Sequence, residues 1–152
     1  MHSIKHLRKV SNTLLVVIGL TAIVGLIDSL YLTITHYTNA LVPCSFTQGC
    51  ETVLRSSYSE IFGLPVAGFG IVFYLVVLSA SIFFIQHKTF HWWLAAWGLV
   101  GFTSTLYLFY VQAFALHAFC QYCLLSAFTS TTIFVLTSVL YFMHNKKGES
   151  NE

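Results

Sequence analysis

The chain is short of charge. Only 8% of its 152 residues are Asp, Glu, Lys or Arg, against about 25% in a soluble domain. From Lys88 to Lys146 no acidic, lysyl or arginyl residue intervenes. With 57% hydrophobic residues and a mean hydropathy of +0.77, a fold that keeps its surface in water is excluded. The formal charge is only +2 and the basic residues stand at the flanks of apolar runs, a pattern that orients a chain in a membrane rather than binding nucleic acid. A phosphate-cradling glycine loop is also missing. The glycines at Gly63, Gly68 and Gly70 follow no strand and form no G-x-G-x-x-G, which argues against a nucleotide cofactor. No linker, low-complexity stretch or repeat divides the sequence, so residues 1–152 read as a single transmembrane domain.

Apolar runs dominate what is present. A hydrocarbon core of about 30 Å takes roughly 20 apolar residues in a helix, and four segments qualify, at about 13–35, 66–85, 92–116 and 124–143. The break near His117 to Cys123 divides the long uncharged interval in two. The fold class expected is all-α and membrane-integral, a bundle of four transmembrane helices with an outer loop over 36–64. Lys5, Arg8 and Lys9 before the first run also resemble the start of a signal peptide, but the run is long enough to span and no A-x-A-like site follows before Pro43. Lysine and arginine collect on the cytoplasmic side. Both termini are therefore expected inside, with Lys88, Phe90, Trp92 and Trp93 at the inner interface and Arg55 the one basic residue outside.

That orientation puts Cys44, Cys50, Cys120 and Cys123 on the extracytoplasmic face, where disulfides form and persist. Cys120-Gln-Tyr-Cys123 is a C-x-x-C at the head of the fourth span, where the helix N-terminus favours a thiolate. A stabilised thiolate leaves readily, which suits a relay and is unnecessary in a crosslink. Cys44 and Cys50 close a short loop beside Pro43 and Gly49, accessible to a partner. Two other readings stand beside the relay. Four cysteines allow three connectivities, and two structural disulfides stapling the outer loops would use the same residues. Alternatively the cysteines ligate a metal in a binding or transport protein, although C-x5-C departs from the usual zinc spacing.

Cys50, then Ser56, Tyr58, Phe62-Gly63-Leu64-Pro65-Val66 and a late Cys120-x-x-Cys123 together resemble the vitamin K epoxide reductase family in its bacterial form, over nearly the whole chain. The resemblance implies a four-helix bundle around a quinone, of ubiquinone or menaquinone type, covered by a short helix in the outer loop that Glu51 to Ile61 could supply. It implies that Cys44 takes electrons from a thioredoxin-like partner, Cys50 passes them to Cys120, Cys123 faces the quinone, and Ser56 offers its hydroxyl to a quinone oxygen. The expected function is quinone-linked thiol oxidation supporting disulfide formation in exported proteins, at the cell (inner) membrane. Vertebrate members have a tyrosine four residues beyond the last cysteine. Ala127 stands there, which points away from vitamin K epoxide as substrate. Some bacterial members continue into a fused thioredoxin-like domain; here the sequence ends at Glu152, so the partner is expected to be a separate protein. The other known quinone-linked disulfide oxidase family carries its C-x-x-C in the first outer loop, the reverse of this order.

Asp28 interrupts the first span, and an acid inside a membrane is costly enough to suggest function. Two roles suit it: a structural hydrogen bond to a neighbouring helix, or proton movement, since oxidising two thiols releases two protons. His36 and His117 could also carry protons, or could be interfacial histidines like His2, His6, His87, His91 and His144.

Overall fold

A computed structural model describes residues 2–44, 49–87 and 92–149. Four helices in it are long and apolar enough to cross a membrane, over Lys9–Thr38, Val66–Gln86, Trp92–Ala115 and Gln121–Asn145, and the chain is a multi-pass membrane protein. Their outward faces carry large apolar side chains such as Leu20, Ile27, Phe128 and Phe142, which lipid solvates and water would not. Lys88, Phe90 and His91, placed at the inner interface and at a helix end by sequence, lie outside the described residues.

The first helix, α1 (His2–Thr38), outlasts the segment expected to span. The 30 residues from Lys9 to Thr38 rise roughly 45 Å at about 1.5 Å each, more than a hydrocarbon core of about 30 Å. One end therefore reaches beyond lipid into the loops. That end is closed by Asn39 at φ 51°, a left-handed conformation asparagine tolerates. The Asn39 N–H donates to the His36 carbonyl at 3.4 Å and the Ala40 N–H to that of Thr35 at 3.2 Å, satisfying carbonyls the helix would otherwise leave bare.

The loop that follows holds a shorter helix than expected. Instead of running from Glu51 to Ile61, α2 covers only Cys50–Leu54, followed by a 3-10 turn at Ser57–Ser59. Serine explains the stop: the Ser56 hydroxyl donates to the Val53 carbonyl at 2.7 Å and the Ser59 hydroxyl to that of Ser56 at 2.7 Å, competing with helical backbone bonds. The Phe-Gly-Leu-Pro motif then makes a hairpin. Its strands β1 (Glu60–Ile61) and β2 (Leu64–Pro65) pair Glu60 with Pro65 and Ile61 with Leu64. Phe62 at φ 54° and Gly63 at φ 77° supply the two positive φ angles of a type I′ turn, and Gly63 does so without steric cost.

The remaining helices are α3 (Val66–His87), α4 (Trp92–Tyr110) and α5 (Gln121–Glu149). The core joins Leu15, Ile18 and Ala22 of α1 to Tyr74, Val77 and Phe84 of α3 and to Ile133 and Leu140 of α5. Thus α1 lies against both α3 and α5, and α4 leans on α5, while α3 and α4 touch sparingly. The third span ends at Ala115, close to the expected 116, with α4 giving way to a π-helical turn at Val111–Ala115, and His117 at φ 49° reverses the chain toward α5.

Candidate active site

All four cysteines meet at one end of the bundle. Cys50 and Cys120 are buried in one cluster with Val42 and Val53, and Cys44 and Cys123 pack against it. Cys44 and Cys50 are joined as a disulfide, whereas Cys120 and Cys123 are free thiols. Of the three connectivities that sequence left open, the structure shows a bond only between Cys44 and Cys50, with the second pair reduced.

The close approach of the two pairs has a local cause at Gly49. A Cβ there would lie 2.8 Å from the Phe119 nitrogen and 2.9 Å from the Ala118 Cβ, nearer than real Cβ atoms come. Glycine alone lets the backbone entering Cys50 touch the backbone entering Cys120. Further ties hold the loops: the Pro43 carbonyl accepts from the Tyr122 hydroxyl at 3.2 Å and the Gln121 side-chain amide at 3.4 Å. The Val42 N–H donates to Glu51 Oε1 at 3.1 Å, and Glu51 pairs with Arg55 at 2.7 Å. His36 at the end of α1 meets Glu60 of the hairpin at 3.2 Å.

Cys120 stands directly before α5, its carbonyl accepting the Leu124 N–H at 3.0 Å. Its thiol is pulled down to about 7, chiefly by the hydrogen bond from the Cys123 side chain, with the backbone N–H groups of Cys123 and Tyr122 assisting. Burial and the charge of Asp28 oppose this shift. A thiol of that kind is substantially ionised near neutral pH, as exchange chemistry requires.

Gln112 is the residue that sequence reasoning missed. Its side-chain oxygen accepts the Cys120 N–H at 3.0 Å and its backbone carbonyl accepts the Ala118 N–H at 3.1 Å, so one residue of the π turn fixes the segment leading to the C-x-x-C. A lone amide in an uncharged span was the available signal, since buried polar groups in membranes find partners.

Beside the thiols a cavity of about 1030 Å³ opens where α3 and α4 diverge. Ser56 and Cys123, the two residues expected to face a quinone, both line it, with Ser126 and Ala127 of α5 and apolar side chains such as Phe73 and Val100. The Ser56 to Ile61 segment of the outer loop forms part of its wall. The space is at the upper end of small-molecule sites, about 300–1,000 Å³, and its wall of apolar side chains with a few polar atoms suits a lipid-soluble ring. Tyr58 borders the same space. His117 is exposed at the reversal and is absent from the cavity wall. Among the described residues no three of His, Cys, Asp and Glu gather as a metal site, so the metal-ligand alternative gains no support.

Comparisons with known proteins agree with this arrangement. The chain is 32% identical over 127 residues to the thiol-disulfide oxidoreductase LTO1 of Arabidopsis thaliana, a match covering 74% of this chain and 32% of that relative. The chain thus spans about a third of the length of that protein. The family model described as the vitamin K epoxide reductase family matches residues 16–138, a stretch that includes all four cysteines and at least part of each of the four spans, and the chain belongs to that family.

Proposed function

We propose that this protein is a quinone-linked thiol oxidoreductase that withdraws electrons from a thioredoxin-like partner and so supports disulfide formation in exported proteins. One observation carries the reading: Cys50 and Cys120 share one buried cluster while Cys123, one turn further along α5, lines a large apolar cavity. Electrons have a contiguous route by sulfur exchange from a loop to lipid depth.

A dithiol partner reduces the Cys44–Cys50 disulfide through a mixed disulfide at Cys44, the less buried of the two. The freed Cys50 thiolate attacks Cys120 of an oxidised Cys120–Cys123 pair, regenerating Cys44–Cys50 as Cys44 attacks Cys50 in turn. The Cys120–Cys123 dithiol then closes again to a disulfide. A quinone of ubiquinone or menaquinone type, when bound, accepts the two electrons and two protons released. Cys123 and Ser56, whose hydroxyl would turn from the Val53 carbonyl, would hold it from the cavity wall, and the surrounding apolar side chains would exclude water. The extracytoplasmic face supplies the oxidising surroundings that the cysteines need, with both termini in the cytoplasm.

The test is quinol formation by the purified protein given a reduced thioredoxin-like protein and a soluble quinone, repeated with each cysteine changed to serine. Turnover should need all four cysteines. If Cys120→Ser and Cys123→Ser both retain turnover, the relay is wrong. Labelling with an impermeant thiol reagent from each side of the membrane tests the assigned face.

A further inference from the structure

Asp28 is the sole aspartate of the chain. It is 5% exposed, and neither of its carboxylate oxygens has a hydrogen-bond partner among the described residues. The structural hydrogen bond that sequence allowed is therefore not what keeps it there. A buried carboxylate with no donor is expensive, and intramembrane acids serve in ion pairs, water-lined paths or proton relays. The ion pairs of the described residues lie elsewhere, at His36 with Glu60 and Arg55 with Glu51.

The titratable groups within electrostatic reach of Asp28 are Tyr74 of α3, and Cys120 and Cys123 at the head of α5. Tyr74 lies close because Gly25, one turn before Asp28 on α1, has no Cβ to collide with its ring. The Tyr74 hydroxyl donates to the Ser126 carbonyl at 3.1 Å and meets the hydroxyls of Ser126 at 3.1 Å and Thr129 at 2.7 Å. Tyr74 and Ser126 both line the cavity. Tyr74 and Ser126 therefore join the surroundings of Asp28 to the cavity wall.

The two thiols differ in the access they have to that cavity. Cys123 lines it and can give up its proton there. Cys120 is fully buried and is not part of the wall, so its proton reaches the cavity only by way of a neighbouring group.

We propose that Asp28 is that carrier, taking the proton of the Cys120 thiol and passing it by the Tyr74 hydroxyl and Ser126 into the cavity. The inference rests on the quinone-linked reading above. In the oxidation two S–H bonds break and the Cys120–Cys123 bond forms. Two electrons and the Cys123 proton go to the quinone directly, and the Cys120 proton follows by way of Asp28 to complete the quinol. The negative charge of Asp28 opposes a thiolate at Cys120, so loss of the Cys120 proton is favoured when that same proton neutralises Asp28.

The experiment uses full-length protein carrying Cys44→Ser and Cys50→Ser, so that only the C-x-x-C titrates. Thiolate ultraviolet absorbance against pH and quinone-dependent closure of the disulfide are measured for Asp28, Asp28→Asn and Asp28→Glu. Asp28→Asn should move the Cys120 midpoint below its value of about 7, yet slow closure about tenfold or more, and Asp28→Glu should restore most of the rate. Slower closure with an unmoved midpoint would mean a merely structural loss and would overturn the proposal. Wild-type rate and wild-type pH profile in Asp28→Asn would overturn the proposal.

A second measurement needs no variant at Asp28. Carbon-13 aspartate labels this one residue, and its infrared carboxyl bands should differ between the dithiol and disulfide forms; identical bands would also overturn it. If the unsubstituted pair is never oxidised by quinone, the quinone reading fails, while the infrared result still judges Asp28.

Discussion

The Cys120 N–H donates to the side-chain oxygen of Gln112 at 3.0 Å, within the buried interior. Eight residues of chain separate the two, and the bond crosses the reversal at His117. It fixes where the reactive thiol stands relative to the cavity.

Replacing Gln112 by leucine should leave that N–H without a partner, at a cost of about 1–3 kcal/mol. A lower Tm in detergent and slower disulfide closure are expected, whereas Gln112→Glu keeps an acceptor and should preserve more of both. Thermal unfolding with paired closure kinetics checks this.

Gly49→Ala should hinder the meeting of the two cysteine pairs, because the added methyl collides with the backbone of Phe119. In a Cys44→Ser/Cys123→Ser background the mixed disulfide between Cys50 and Cys120 should form at least several-fold more slowly. Non-reducing gels over a time course read the outcome, and an unchanged rate would contradict the close approach.

The Cys120 ionisation has a definite sign with pH. Thiolate absorbance should rise as pH increases through about 7, so attack of reduced Cys120 on the Cys44–Cys50 disulfide, the reverse of the relay, gains speed over the same interval. Since the Cys123 hydrogen bond is the main cause of the lowered value, Cys123→Ala should move the midpoint up toward the ordinary thiol range, and Cys123→Ser, which keeps a donor, should move it less.

Tyr74→Phe keeps the ring beside Gly25 but removes the hydroxyl that joins α3 to Ser126 and Thr129. About 0.5–1.5 kcal/mol of stability should be lost, the net worth of a hydrogen bond, since the buried Thr129 keeps its bond to the Ser126 carbonyl. Quinone-dependent closure should slow as well, and urea or thermal unfolding alongside single-turnover kinetics separates the two effects.

By itself the sequence determined the four spans, because length and apolarity against a bilayer leave little freedom. It also marked Cys44, Cys50, Cys120, Cys123 and Ser56 as the residues to watch, since cysteine pairs in an apolar chain have few uses and their order resembles one family. Periodicity could not show that α2 stops at Leu54, where serine hydroxyls capture backbone carbonyls. Nor could it show that α4 relaxes into a π turn, which puts Gln112 against Cys120. Only tertiary structure decided the site, because contact between the two cysteine pairs depends on residues some seventy positions apart approaching at Gly49. The cavity likewise exists because α3 and α4 diverge, and the isolation of Asp28 follows from which side chains surround it. Hydropathy is a sum along one chain, whereas contact, void and the absence of a donor are properties of several helices at once.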